Sequence, residues 1–133
     1  MARKRHLSRI AVMQVLFERE KRLEIDENQS LDMNESELGA IDRPFAEALL
    51  KGVLEHHEDL CKAIQEHAPG WTLERMDPVS RCVLCVGAYE MMYAKEAPPA
   101  VIINEAIEIA KEFGTDESGK FVNGVLNGMI EKK

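Results

Sequence analysis

No stretch of this chain approaches the ~20 consecutive apolar residues of a membrane-spanning helix. The N-terminus is basic, but Gln14 and Glu18 interrupt the apolar residues behind it, so it does not read as a signal peptide. Cysteine is scarce as well. Cys61, Cys82 and Cys85 are too few, and odd in number, for a disulfide framework. These absences predict a protein of the reducing cytoplasm with no membrane partner. No segment sustains period-two alternation, which argues against a sheet. Even "AVIINEAIEIA" at residues 100–110 follows a helical period. Aromatic residues make up only 5% of the chain, so a broad aromatic platform for stacked bases is not expected.

Catalytic signatures are missing too. There is no Ser-His-Asp set, no Gly-rich phosphate loop and no paired carboxylate, which predicts a protein that is not an enzyme and needs no cofactor. The Cys82-x-x-Cys85 pair sits inside a predicted helix with no strand before it, unlike a redox motif. A structural zinc would need four ligands, and Cys61, His56, His57 and His67 belong to a different predicted helix. No metal site is expected.

What the sequence does have is a lopsided charge. Residues 1–22 carry seven Lys/Arg against two Glu, whereas the other 111 residues carry ten against 22 acids. A compact positive head on an acidic protein marks a specific basic surface. Arg3, Lys4, Arg5 and Arg9 are its candidates for contacts with nucleic-acid phosphates, which bind with release of counterions.

The 133 residues read as one all-α domain, residues 1–133, with five long helices and up to two short ones. The first helix, near 4–22, is apolar on almost every side and is expected to be central. Residues 23–41 hold six acids and no base, and are expected to form an exposed connection with at most one weak helical turn. A second helix should run from an Asp42 cap to about His67, and Trp71 should open a short turn. Asp77-Pro78 starts a second buried central helix, and Pro98-Pro99 breaks the chain before a helix that stops at Gly114. Asp116 is the expected cap of the last helix. Glu90 falls among Val79, Val83 and Val86, and a carboxylate there calls for a buried partner, either backbone N–H groups or a cation. Lys120, Phe121 and Asn123, at the start of the last helix, are candidates to supplement the basic head, although Phe121 also fits the apolar stripe.

Three stretches, "RHLSRIAVMQVLFE" at 5–18, "WTLERMDPVSRCVLCVGAYEM" at 71–91 and "INEAIEIAKEFGTDESGKFVNGVL" at 103–126, make the chain resemble the NusB family of bacterial transcription antitermination factors. The resemblance implies two small helical bundles side by side and no catalysis. It implies boxA-type RNA and NusE, a ribosomal protein, as partners in a transcription complex that reads through terminators, notably in ribosomal RNA operons. It assigns RNA contacts to Arg3, Lys4, Arg5 and Arg9, and to Lys120, Phe121 and Asn123, and a NusE-facing surface to Phe17 and Ser80. The chain departs from the family's usual pattern at Cys85, where arginine is frequent, at Glu117, where aspartate is common, and at Phe17, often tyrosine. Two other readings stand beside this one. A helical interaction module could form a homodimer through its first helix without binding RNA. A similar domain also fronts some ribosomal RNA methyltransferases, but no cofactor-binding segment follows here, so that reading is not expected to hold.

Overall fold

The computed structural model describes residues 2–22 and 24–130, with nothing of the Ala2 side chain. Among the described residues seven α-helices follow one another: α1 Ala2–Lys21, α2 Glu27–Leu38, α3 Arg43–Glu55, α4 His57–Glu66, α5 Pro78–Tyr89, α6 Pro99–Phe113 and α7 Asp116–Ile130. A 3-10 turn, Leu73–Arg75, precedes α5, and a π-helical turn, Glu90–Ala94, continues it. There is no strand among the described residues, and no helix among them is long and apolar enough to cross a membrane.

The two segments that are apolar all round became the two central helices. Ala11, Val12 and Val15 of α1 and Leu84 and Ala88 of α5 are fully buried. α1 packs against α2, α3 and α5, while α5 packs against α4, α6 and α7. The fold is thus two small bundles sharing one core, with α1 and α5 at the seam. These two helices run antiparallel, because Arg9 pairs with Glu90 at one end and Glu20 with Arg81 at the other.

The acidic connection is a correction to the sequence reading. Residues 27–38 form a full helix, capped by Asp26, whose carboxylate accepts from the backbone N–H groups of Asn28 and Gln29 (Leu23, the first residue of that segment, lies outside the described residues). Leu31 anchors α2 in the core. Its acids, which looked uncompensated in sequence, are met by cations from elsewhere. Arg43 contacts Asp32 and Glu35 at 2.8 Å each, and Arg19 contacts Glu27 at 2.9 Å. The expected single helix over 42–67 breaks at His56, whose ψ of 18° leaves the helical range. The cap of α7 also differs. Ser118 donates its N–H to Thr115 Oγ1 while Thr115 donates its N–H to Ser118 Oγ, so Thr115 rather than Asp116 closes the helix start.

Close approach decides one glycine. Gly52 lies against the Tyr89 ring, where an added Cβ would overlap the ring carbons. That contact brings α3 and α5 together.

Candidate nucleic-acid interface

The positive head is the first turn and a half of α1, which carries no acid in its first turn. The partial positive charge of a helix N-terminus adds to its cations. Arg3 and Lys4 are exposed and have no ion-pair partner among the described residues. Arg5 is held at the edge. Its guanidinium lies 4.4 Å from the centre of the Phe45 ring and reaches Glu96 at 3.3 Å and Asp42 at 3.5 Å, with 40% of its side chain still exposed. These contacts aim Arg5 without removing it from solvent.

Arg9 is different, and its expected phosphate contact does not match where it sits. One turn further into α1 it is 5% exposed. Its Nε donates to Glu90 Oε2 at 2.6 Å, its Nη2 to Glu90 Oε1 at 2.9 Å and its Nη1 to Glu105 Oε1 at 3.0 Å. Burial pulls the guanidinium down, but the pairing with Glu90 and Glu105 outweighs it and holds the group above its ordinary pKa. The buried partner that Glu90 required is therefore Arg9. The cation serves as an internal strut that fixes the base of the head.

His6 Nδ1 lies 2.8 Å from the same Glu105 oxygen. His6, Glu105 and Glu108 bring one ligand atom each within 4.8 Å of one another, and form the one such group among the described residues. Arg9 already occupies Glu105 there, and its positive charge opposes a second cation.

The second set of candidates lies elsewhere. Lys120 and Asn123 are exposed and Phe121 is half-buried on the first turns of α7. Ser118 Oγ donates to Asp77 Oδ2 at 3.3 Å, so this end of α7 meets the start of α5, whereas the head meets the end of α5 at Glu90. At 1.5 Å per residue the two sets stand roughly 20 Å apart along that helix. The N-terminus of α7 is also not the open anion site that was expected, because Thr115 and Ser118 close it and Asp116 and Glu117 follow in its first turn. Asn123 is engaged with the Asn127 amide one turn on.

Of the partner-facing candidates, Phe17 is partly exposed, with the Lys21 ammonium 4.8 Å from its ring centre. Ser80 is fully buried; its hydroxyl donates to Asp77 Oδ2 at 2.7 Å and its N–H to Asp77 Oδ1 at 2.8 Å. Both bonds hold the Asp77 cap of α5 in place, and the buried Ser80 offers no surface to a partner.

The residue reading passed over Trp71 and Arg75, which join Phe121 around an open cavity of about 370 Å³. The signal available was the single Trp of the chain placed in a turn next to an arginine, but nothing local says that Phe121, fifty residues on, faces it.

Comparison with known proteins agrees with this architecture. The family model described as the NusB family matches residues 6–131. A transcription antitermination protein NusB from an Exiguobacterium strain is 42% identical over 132 residues, covering 97% of this chain and 98% of that one. The crystal structure of T. maritima NusB superposes with a TM-score of 0.84 at 35% identity, over 96% of this chain and 90% of that one. A crystal structure of the antitermination factors NusB and NusE in complex with dsRNA shares the fold, with a TM-score of 0.86 at 24% identity and full coverage of both chains. The antiparallel pair of buried helices, the basic head at the end of one of them and the match along nearly the whole sequence lead to one conclusion: this chain belongs to the NusB family.

Proposed function

We propose that this protein is a non-catalytic transcription antitermination factor of the cytoplasm. It binds boxA-type RNA together with NusE and promotes read-through in ribosomal RNA operons. The relative from Exiguobacterium bears the antitermination name, and the structural neighbour holds NusE and RNA.

One observation carries the reading. Arg3, Lys4 and Arg5 project from a helix end that the Arg9–Glu90 pair ties into the core, on a protein whose charge is otherwise strongly negative. A rigid positive end gathers phosphates, and the acidic remainder repels the polymer elsewhere. Lys120, Phe121 and Asn123 form a second contact region across the length of α5, and a bound RNA that touches both regions spans several nucleotides. Phe17 contributes to the NusE-facing surface.

The test is a titration of boxA-type and scrambled RNA against the protein alone, NusE alone and the two together. Preferential, salt-sensitive binding of the boxA-type strand by the pair is expected. Equal affinity for both strands would remove the sequence-specific role. A dimer that persists with RNA bound would contradict a homodimer that covers the RNA-facing head.

A further inference from the structure

The only tryptophan of the chain is displayed rather than buried. Trp71 is 44% exposed, on the turn between α4 and α5. Its backbone is held on both sides: its N–H donates to Ala68 C=O at 3.0 Å, and the Gln65 side-chain amide donates to its own C=O. The ring meets Phe121 of α7 edge-on, with centroids 5.6 Å apart and planes at 60°. The Arg75 guanidinium lies 5.5 Å from the centre of the indole. Asp77 and Ser118, hydrogen-bonded to each other, line the same cavity with Glu117. Few aromatics are available to this chain, yet two of them and an arginine converge here, Trp71 and Arg75 from the turn before α5 and Phe121 from α7.

Resting on the RNA-binding reading above, we infer that this cavity is a receptor for one unstacked nucleobase of the bound RNA. A cavity of about 370 Å³ has room for a base and part of its ribose. The exposed indole offers a stacking face, and the planar, cationic guanidinium offers a second one. The charge of the lining says which part of a nucleotide enters. Asp77 and Glu117 repel a phosphate, so the neutral ring goes in and the backbone stays outside, toward the exposed ammonium of Lys120. Phe121 supports the indole from the side.

Because Trp71 is the sole tryptophan, its fluorescence reports on this cavity alone. The experiment titrates the full chain, with and without NusE, against an adenylate dodecamer and an abasic phosphodiester strand of the same length. Quenching by the dodecamer and not by the abasic strand is expected. Trp71→Leu, which keeps an apolar contact with Phe121, should weaken dodecamer binding roughly tenfold or more, the size of one lost base stack, and leave the salt slope unchanged. Arg75→Gln, at an exposed position, should weaken it several-fold with the melting temperature retained. Dodecamer binding with unchanged indole emission and unchanged Trp71→Leu affinity would overturn the base receptor and leave the RNA reading standing. Quenching by NusE alone would overturn it in favour of a protein contact. Failure of the dodecamer to bind at low salt, with or without NusE, would overturn the receptor, and failure of a boxA-type strand under the same conditions would overturn the reading beneath it.

Discussion

Arg9 and Glu90, 81 positions apart in sequence, meet in the core through two parallel hydrogen bonds of 2.6 and 2.9 Å. The pair joins the two central helices at the end where the basic head emerges. Breaking such a buried pair from one side leaves an uncompensated charge, which costs far more than the net worth of the pair. Arg9→Met or Glu90→Leu alone should destabilise the fold by about 3–5 kcal/mol in urea unfolding. The double variant should recover most of that loss, because both charges leave together. Equal losses in the single and double variants would mean that packing, not charge, governs the site.

The same geometry separates Arg9 from its neighbours as an RNA contact. Arg3→Ala and Lys4→Ala remove exposed side chains, and each should change stability by less than about 0.5 kcal/mol. Each should also reduce the log–log salt slope of RNA binding by ~0.7 for a single strand. An Arg9 variant that remains folded should leave the slope alone. A drop of the same size in that variant would put Arg9 on the phosphates after all.

Gly52 tests the contact between α3 and α5. With Tyr89 occupying the space of a Cβ, Gly52→Ala forces the ring or the helix to shift and should cost about 1–3 kcal/mol. Replacing Tyr89 by Leu in the same chain should restore part of the loss. A neutral Gly52→Ala by thermal melting would show that the ring moves aside freely.

The cysteines should differ in reactivity. Cys61, on α4, lines one cavity with the Cys85 thiol, and that neighbour holds its pKa below the usual thiol value despite partial burial. The Cys61 thiol and deep burial push Cys85 up, and burial pushes Cys82 up. A lowered pKa means that thiolate appears at lower pH, so iodoacetamide should label Cys61 first, with its pH midpoint below that of an ordinary thiol. Cys82 and Cys85 should label only on unfolding. Cys85→Ala should raise the Cys61 midpoint, and an unmoved midpoint would dismiss the neighbouring thiol as its cause.

α2 shows where local reading stops. The six acids of residues 23–41, without a base, look like a solvated loop, and only Leu31 is fully buried in the helix that holds four of them. The cations that settle the matter, Arg19 and Arg43, come from the helices on either side. Glu90 shows the opposite case. Its position among valines announced a buried carboxylate in need of a partner, and Arg9 answers that need. Arg9 itself, read as part of a cationic run, carried no sign that it turns inward. Ser80 belongs with it: its bond to the Asp77 cap three residues before it is local, but its full burial is decided by the packing of α5.

Apolar periodicity and the Pro, Gly and Asp punctuation were enough to determine an all-α chain with two central helices and a basic leading end, because helix faces and caps are settled by residues within a few turns of one another. Tertiary structure alone decided which cations remain free, which acids are neutralised, and that Trp71, Arg75 and Phe121 share one cavity. Those outcomes depend on distances between residues remote in sequence, and such distances exist only once the helices have packed.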